Sequence, residues 1–345
     1  MSNHPCMETD ASAAAGATQL ALLYQVSHAL YVTTRLGVWD LLAADVGTIA
    51  EIAERTGTRV PSMQRLLRAL AAFNVVRDAG AGKFELTSIG QCLTSNSAHS
   101  VRPLILMYGS EHSRQVFDHL EECVCEGRSV FEIAFGAESG FSYLQGHPHL
   151  ARVFNDGMSA ASRLTGPAIA KNYSFADVRQ IVDVGGGHGE VLAAILHAFP
   201  HIRGTLFELP SVAAKLRDRD MSSRCEVIAG DMFRAVPAGG DLYLLVHIIH
   251  NWDDEAATAL LKSCRQAMRD SGKLLIVDRV MPERVEPCEP ARAKALIDLL
   301  MLVRTRGGRE RTADEFTRLL AGAGLQLQRF VPLDISETLI EAACV

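Results

Sequence analysis

The sequence predicts an α/β protein: a doubly wound, mostly parallel sheet with an antiparallel C-terminal edge, preceded by a mainly helical region that carries one hairpin. Three observations lead there. Before about residue 175 apolar positions recur at helical spacing, with one pair of short strand-like runs. From residue 178 apolar runs alternate with amphipathic ones, the rhythm of strands joined by crossover helices. The runs themselves, such as Leu242-Tyr243-Leu244-Leu245-Val246, are apolar at every position, as strands covered on both faces require.

Taken in order, residues 1–16 are polar and then Ala-rich, without the basic-then-apolar order of a signal peptide, and residues 1–19 read as a flexible tail. Residues 20–42 place Leu23, Val26, Leu30 and Val38 at near-helical spacing, broken at Gly37. A short helix over 49–55 ends at the Thr56-Gly57-Thr58 turn. Pro61 then opens a helix whose Met63, Leu66, Leu67 and Leu70 form one apolar face. Residues 74–78 and 83–87 flank Ala79-Gly80-Ala81-Gly82 as a hairpin. Helix, turn, helix and hairpin outline a winged helix over 20–100. A helical segment follows over 101–175, with helices expected at 101–123 and about 149–170.

The sheet domain spans 176–345. Its strands are expected at 180–184, 204–209, 225–228, 241–248 and 273–278, and its helices at 190–198, 211–216, 254–268 and 313–320. Two further strands, 325–333 and 338–344, are placed to pair antiparallel at one edge.

Bulk properties exclude several classes. With 345 residues, 48% hydrophobic and 21% charged, the chain has the composition of a globular protein of two domains. A net charge of −6 gives no general attraction to nucleic acid or an anionic membrane, and no apolar run approaches a membrane span. The eight cysteines are scattered, with neither a disulfide framework nor a CxxC metal knuckle, which predicts reduced thiols in a cytoplasmic protein.

The most informative stretch is Ile181-Val182-Asp183-Val184-Gly185-Gly186-Gly187-His188-Gly189-Glu190. An apolar strand runs into glycines that let the backbone approach a ligand closely, at the strand end where open α/β sheets bind. The spacing is G-x-G-x-G, with Glu190 where a dinucleotide motif has its third glycine. S-adenosylmethionine has no pyrophosphate and needs no third close approach. Asp183, Gly185 and Gly187 are therefore candidate cofactor residues. Glu208, 23 residues after Gly185, ends the second strand where a carboxylate accepts from both ribose hydroxyls. After the third strand Asp231 is placed to accept from an adenine amino group, with Met232 or Phe233 packing on the ring. A plain tight turn and an NAD(P) site are the competing readings.

The fourth strand leads to His250-Asn251-Trp252-Asp253-Asp254. This run resembles the H-[DN]-W-x-D signature of the dimeric small-molecule O-methyltransferases, which include plant phenylpropanoid and flavonoid enzymes, hydroxyindole enzymes, and bacterial antibiotic- and phenazine-tailoring enzymes. The glycine loop, Phe207-Glu208-Leu209-Pro210, Gly230-Asp231-Met232-Phe233 and Gly307-Gly308-Arg309-Glu310-Arg311-Thr312 occur in family order, and the resemblance runs from about residue 20 to the end. It implies a Rossmann-like class I methyltransferase domain behind a winged-helix-like dimerisation domain, S-adenosylmethionine as methyl donor without a metal, and a homodimer. By resemblance His250 is the general base, flanked by Asp278 and Glu310. The chemistry agrees, since histidine titrates near operating pH and a phenol attacks more readily as it loses its proton.

The resemblance further implies that Trp252 stacks near the adenine and that Ser162 touches the methionine end of the cofactor. Phe154 and Met158, four apart on one helical face, are expected to clamp a flat substrate. Asn251, Met301 and Thr305 complete the substrate side. A Met/Phe core stripe is the bland reading of such spacing. Many relatives carry Lys or Arg four positions before the histidine, whereas this chain has Val246, so another donor must meet the cofactor carboxylate.

Other functions fit less well. His247 and His250 resemble a metal pair, but no third ligand has a recognisable spacing. A winged helix also suggests a DNA-binding regulator, yet residues 1–100 carry 7 Lys/Arg against 8 Asp/Glu, the wrong balance for a phosphate footprint. The expected activity is methyl transfer to a hydroxyl of a small aromatic metabolite. The alternative is N- or C-methylation of a similar scaffold by proximity, without a base.

Overall fold

The structure, a computed structural model, describes residues 10–216 and 222–345, and the chain divides into two compact units after Arg114. In the first, α1 (Asp10–Arg35) and α2 (Val38–Ala43) are separated at Gly37, whose φ of 72° is left-handed. Helix α3 (Ile49–Thr56) starts at a capping box in which the Glu51 amide donates to Thr48 Oγ1. Helix α4 (Val60–Ala72) carries Pro61 in its first turn, and strands β1 (Val76–Gly80) and β2 (Lys83–Leu86) pair antiparallel. Trp39, Ile52, Met63, Leu67, Leu70 and Phe84 fill the core of this unit, and Trp39 Nε1 donates to Thr34 Oγ1 at 2.8 Å. Helices α5 (Ser88–Gln91), α6 (Arg102–Tyr108) and α7 (Glu111–Phe117) follow.

Several boundaries differ from expectation. The tail read to residue 19 is already helical from Asp10; its exposed, Ala-rich turns give no amphipathic pattern to detect. Residues 1–9 of that reading lie outside the described residues. The helix expected at 101–123 is three short ones, α6, α7 and α8 (Leu120–Glu126). The first break falls at Gly109-Ser110, where Ser110 Oγ accepts from the Ser113 amide and restarts the chain as a new helix.

In the second unit, α9 (Val130–Ile133), α10 (Gly140–Gln145) and the long α11 (Pro148–Asn172) precede a seven-stranded sheet. The elements are β3 (Gln180–Val184), α12 (Glu190–Ala198), β4 (Arg203–Glu208), α13 (Pro210–Leu216), β5 (Cys225–Ala229), β6 (Leu242–Val246), α14 (Asp254–Ala267), β7 (Lys273–Asp278), β8 (Val280–Met281), α15 (Glu289–Arg304), β9 (Arg311–Thr312), α16 (Ala313–Gly322), β10 (Leu325–Pro332) and β11 (Thr338–Cys344). The sheet order is β10-β11-β7-β6-β3-β4-β5, parallel except where β11 pairs antiparallel with β7 and β10. Apolar clusters cover both faces, one around Tyr243, Leu245 and Ile276, the other around Leu192, Leu244 and Leu275. Strand β6 stops at Val246, short of the expected 248, because His247 turns the chain out of the sheet at φ 54°. Among the described residues no helix is long and apolar enough to cross a membrane.

Candidate active site

The carboxyl ends of β3, β4, β5 and β6 converge on the glycine loop. Gly185, Gly187 and Gly189 all have left-handed φ, 70°, 59° and 77°. A Cβ on Gly187 would meet nothing within 4 Å, so the backbone bend, not crowding, calls for glycine there and leaves open space above the loop. Gly186 is the opposite case: its Cβ would lie 2.3 Å from Asp183 Oδ2. Asp183 is thus packed beneath the loop, fully buried, with neither oxygen hydrogen-bonded. Burial, helped by the nearby Glu208 charge, pushes its pKa up to about 7. Sequence reasoning grouped Asp183 with the cofactor contacts; here it lies under the loop instead.

Glu208 faces the loop from β4. Its Oε1 accepts from the Gly187 amide at 2.9 Å and its Oε2 from the Leu209 amide at 2.8 Å. Burial raises its pKa against the pull of those two bonds. Asp231 Oδ1 accepts from the Phe233 amide at 2.9 Å, and Phe233 meets Trp252 edge-on at 4.7 Å. Met232 reaches back towards Gly185, its Sδ 3.8 Å from where a Cβ there would stand. On α11, Ser162 lies one turn from Ser159, whose Oγ is 3.1 Å from His188 Nδ1. A carboxylate hydrogen-bonded to an open glycine bend, together with a thioether against the loop and two aromatic rings in edge contact, suits a nucleoside carrying vicinal hydroxyls.

His250 sits in a single 3-10 turn (Ile249–Asn251) after β6 and is 7% exposed. Glu310 Oε1 accepts from its Nδ1 at 2.9 Å, while Asp278 Oδ1 stands 3.7 Å from the same nitrogen, beyond hydrogen-bond length. The two acids expected to act alike are therefore unequal. Both Asp278 oxygens and Glu310 Oε2 are buried without a hydrogen-bond partner. His250 Nε2 has no hydrogen-bond partner among the described residues. Burial acts to lower the His250 pKa, but the Asp278 charge and the Glu310 bond and charge outweigh it and raise it. Burial, with Glu310 close by, holds the Asp278 pKa well above the usual carboxylate range.

Sequence reasoning missed what holds this turn. Arg311 is completely buried; its guanidinium donates to the Ile249 carbonyl at 3.1 Å, the Trp252 carbonyl at 2.8 Å and Asp254 Oδ1 at 2.8 Å. It thereby fixes the backbone on both sides of His250. Gly308 is needed because a Cβ there would lie 2.5 Å from the His250 carbonyl oxygen. Arg311 stood in a recognised run, but its acidic partner is Asp254, far back in the chain, and not the neighbouring Glu310, so nothing local gives a signal of its target. Asp253 caps α14 by accepting from the Ala256 amide at 2.8 Å.

The substrate-side residues separate. Phe154 and Met158 lie on α11, Phe154 edge-on to Phe141 at 6.3 Å. Met301, on α15, is 7% exposed and packs in a cluster with Val130, Phe131 and Val303, so it is core at least as much as lining. Thr305 Oγ1 donates to the Met301 carbonyl, and Asn251 Nδ2 donates to the His247 carbonyl at 2.8 Å. Both polar groups are thus engaged by their own backbone. Among the described residues no group of three or more His, Cys, Asp or Glu side chains is disposed to hold a metal ion.

Comparison with known proteins bears on this geometry. Residues 117–326 match the O-methyltransferase domain model and residues 18–96 the O-methyltransferase dimerisation domain model. The chain is 38% identical over 328 residues to a phenazine O-methyltransferase of Lysobacter antibioticus, covering 94% of each. A methyltransferase of calicheamicin biosynthesis, solved with S-adenosylhomocysteine bound, superposes with a TM-score of 0.87 at 31% identity over 98% of this chain and all of that one. An O-methyltransferase of neocarzinostatin biosynthesis, solved with S-adenosylmethionine and 2-hydroxy-5-methyl naphthoic acid, gives 0.72 at 32% identity, covering 92% and 96%.

Proposed function

The chain belongs to the O-methyltransferase family, as an S-adenosylmethionine-dependent enzyme of small aromatic natural products, and from that premise we propose that His250 removes the acceptor's hydroxyl proton. The observation that carries this reading is the Glu310 to His250 Nδ1 hydrogen bond at 2.9 Å. A carboxylate accepting at Nδ1 fixes the tautomer in which Nε2 carries the lone pair, the form a base needs.

The roles divide among the chain's own residues. Glu208 holds the ribose hydroxyls of the cofactor, Asp231 its adenine amino group, Met232, Phe233 and Trp252 the adenine faces, and Ser162 the methionine end. The cofactor supplies a sulfonium-activated methyl group when bound. Gly185 and Gly187 shape the loop over it, with Asp183 as the support beneath. Asp278 raises the basicity of His250 by charge alone, from 3.7 Å. Phe154 and Met158 orient a flat acceptor from α11, with Asn251, Met301 and Thr305 opposite. Much of the rate then comes from alignment, because a near-attack geometry removes an entropic barrier. A homodimer formed through the N-terminal helices accounts for the exposed Leu20, Leu22, Leu23 and Tyr24 of α1.

Replacing His250 by Ala tests the base. Loss of a general base lowers turnover by about 10²–10⁴-fold. S-adenosylhomocysteine binding, read by calorimetry, stays close to that of the parent. Full activity of His250→Ala on a neutral phenol refutes the reading and leaves proximity as the sole source of rate.

A further inference from the structure

A second layer of charge lies behind the base. Glu337, immediately before β11, is 7% exposed. Its Oε1 accepts from Arg279 Nη2 at 2.7 Å and lies 3.1 Å from His247 Nε2, and its Oε2 accepts from Ser336 Oγ at 3.2 Å. Arg279 in turn donates from Nε to Ser336 Oγ at 3.1 Å and places Nη1 3.7 Å from Glu310 Oε1, the oxygen that holds His250. The His247 ring stacks on the His250 ring at 5.8 Å and 20°. His247 does so from a left-handed backbone conformation, φ 54°, uncommon for a residue with a side chain and maintained only where surroundings fix it.

We propose that Glu337 is a positioning residue for the base, holding Arg279 against Glu310 and His247 against His250 from the connection between the last two strands. The inference rests on the reading of His250 as the base. Charge counting supports it. Three buried carboxylates, Asp278, Glu310 and Glu337, surround this corner with Arg279 as the permanent cation among them, and Asp298 adds a further carboxylate by accepting from the Glu310 amide at 2.8 Å. A charge buried without its partner acts on its neighbours at low dielectric. With Glu337 in place, the Arg279 charge is largely balanced. Without it, that charge falls on Glu310 and His250 and makes protonated His250 less favourable. The Glu337 pKa, about 2, is low because hydrogen bonding to His247 and the charges of His247 and Arg279 overcome burial, so it stays ionised throughout.

The test measures the His250 protonation midpoint in the full chain by ring NMR of histidine-labelled protein, the resonance assigned by its absence in His250→Asn, beside kcat/KM pH profiles. Glu337→Gln keeps the shape and is expected to lower the midpoint, and the acid limb with it, by roughly half a pH unit or more. Arg279→Gln is expected to move both upward. Glu337→Asp retains the charge and brings the midpoint back towards the parent, which a merely weakened fold does not do. A parent profile with no limb at the His250 midpoint removes the base reading and this inference together. A limb that tracks His250 in the parent but stays put in both Glu337→Gln and Arg279→Gln overturns the inference alone.

Discussion

With His250 as the base we propose, replacing Glu310 by Gln asks how much of the rate lies in the grip on the imidazole. Glu310 Oε1 accepts from His250 Nδ1 at 2.9 Å, and the amide of Gln has nearly the same volume, so the change is electronic. A hydrogen bond to a charged group contributes about 1.5–3 kcal/mol and a neutral one about 0.5–1.5, a difference of roughly 1–1.5 kcal/mol. At about 1.36 kcal/mol per decade this lowers kcat/KM on the alkaline plateau roughly 5–15-fold. A second effect has the opposite sign at low pH. Glu310 helps hold the His250 pKa above its ordinary 6.5, and a base acts only when neutral. Losing the Glu310 charge therefore moves the acid limb to lower pH, and the deficit narrows below the parent's midpoint. Initial rates with a phenolic acceptor across about pH 6–9 read both effects. Asp278→Asn, acting at 3.7 Å without a hydrogen bond, has the smaller effect on the plateau. The reasoning fails if Glu310→Gln keeps the parent's plateau and limb, or if Asp278→Asn loses more than it does.

The fold was legible in the sequence wherever burial is two-sided or amphipathic. Strands such as Leu242–Val246 are covered on both faces, which leaves unbroken apolar runs, and α4 shows its buried face as Met63, Leu67 and Leu70. Helix α15 was not anticipated as an element, although Met301 within it and Thr305 just past its end were. Its Leu296 and Leu299 are exposed while Leu300 and Met301 are buried, so no single apolar stripe marks it. The end of β6 was misplaced because Ile248 continues the apolar run, while the turn is made by the backbone of His247, a type enriched at positive φ but adopting it too seldom to mark a turn.

The site was legible at the level of motifs and opaque at the level of geometry. Gly185–Gly189, Glu208 and His250 could be picked out because each lies at a strand end, where side chains of different strands meet. That Glu310 grips the ring while Asp278 stands off depends on a fraction of an ångström between β7 and the loop before β9, which no spacing encodes. Arg311 and Glu337 were invisible for a further reason. Each acts through partners 57 or more residues away in the chain, Asp254 for one and Arg279 for the other, and neither pairing leaves a local pattern.

Two more predictions concern the loop and its support. Gly187→Ala meets no atom but must hold φ 59°, costing about 1–2 kcal/mol of stability. Gly186→Ala places a methyl 2.3 Å from Asp183 Oδ2 and 2.6 Å from Leu206 Cδ1, so it should lower Tm further and abolish S-adenosylhomocysteine binding; equal Tm losses in the two variants would falsify this account of the loop. The second is the pH response of Asp183. Its folded pKa, raised from 3.8 to about 7 by burial and the Glu208 charge, means the folded protein keeps a proton there that the unfolded chain has released. The stability that this group contributes is therefore complete below about pH 4, declines as pH rises, and is gone above about pH 7. Asp183→Asn has no proton to lose, so its stability relative to the parent should climb from about pH 5 to 7 and level off beyond. Asp278, whose pKa is also raised by burial, keeps some of the decline in both proteins and cancels in the comparison. Thermal melts of both proteins over that range provide the measurement. A difference in Tm that stays constant with pH shows that Asp183 is ionised under the loop, with its charge met by a partner other than its own proton.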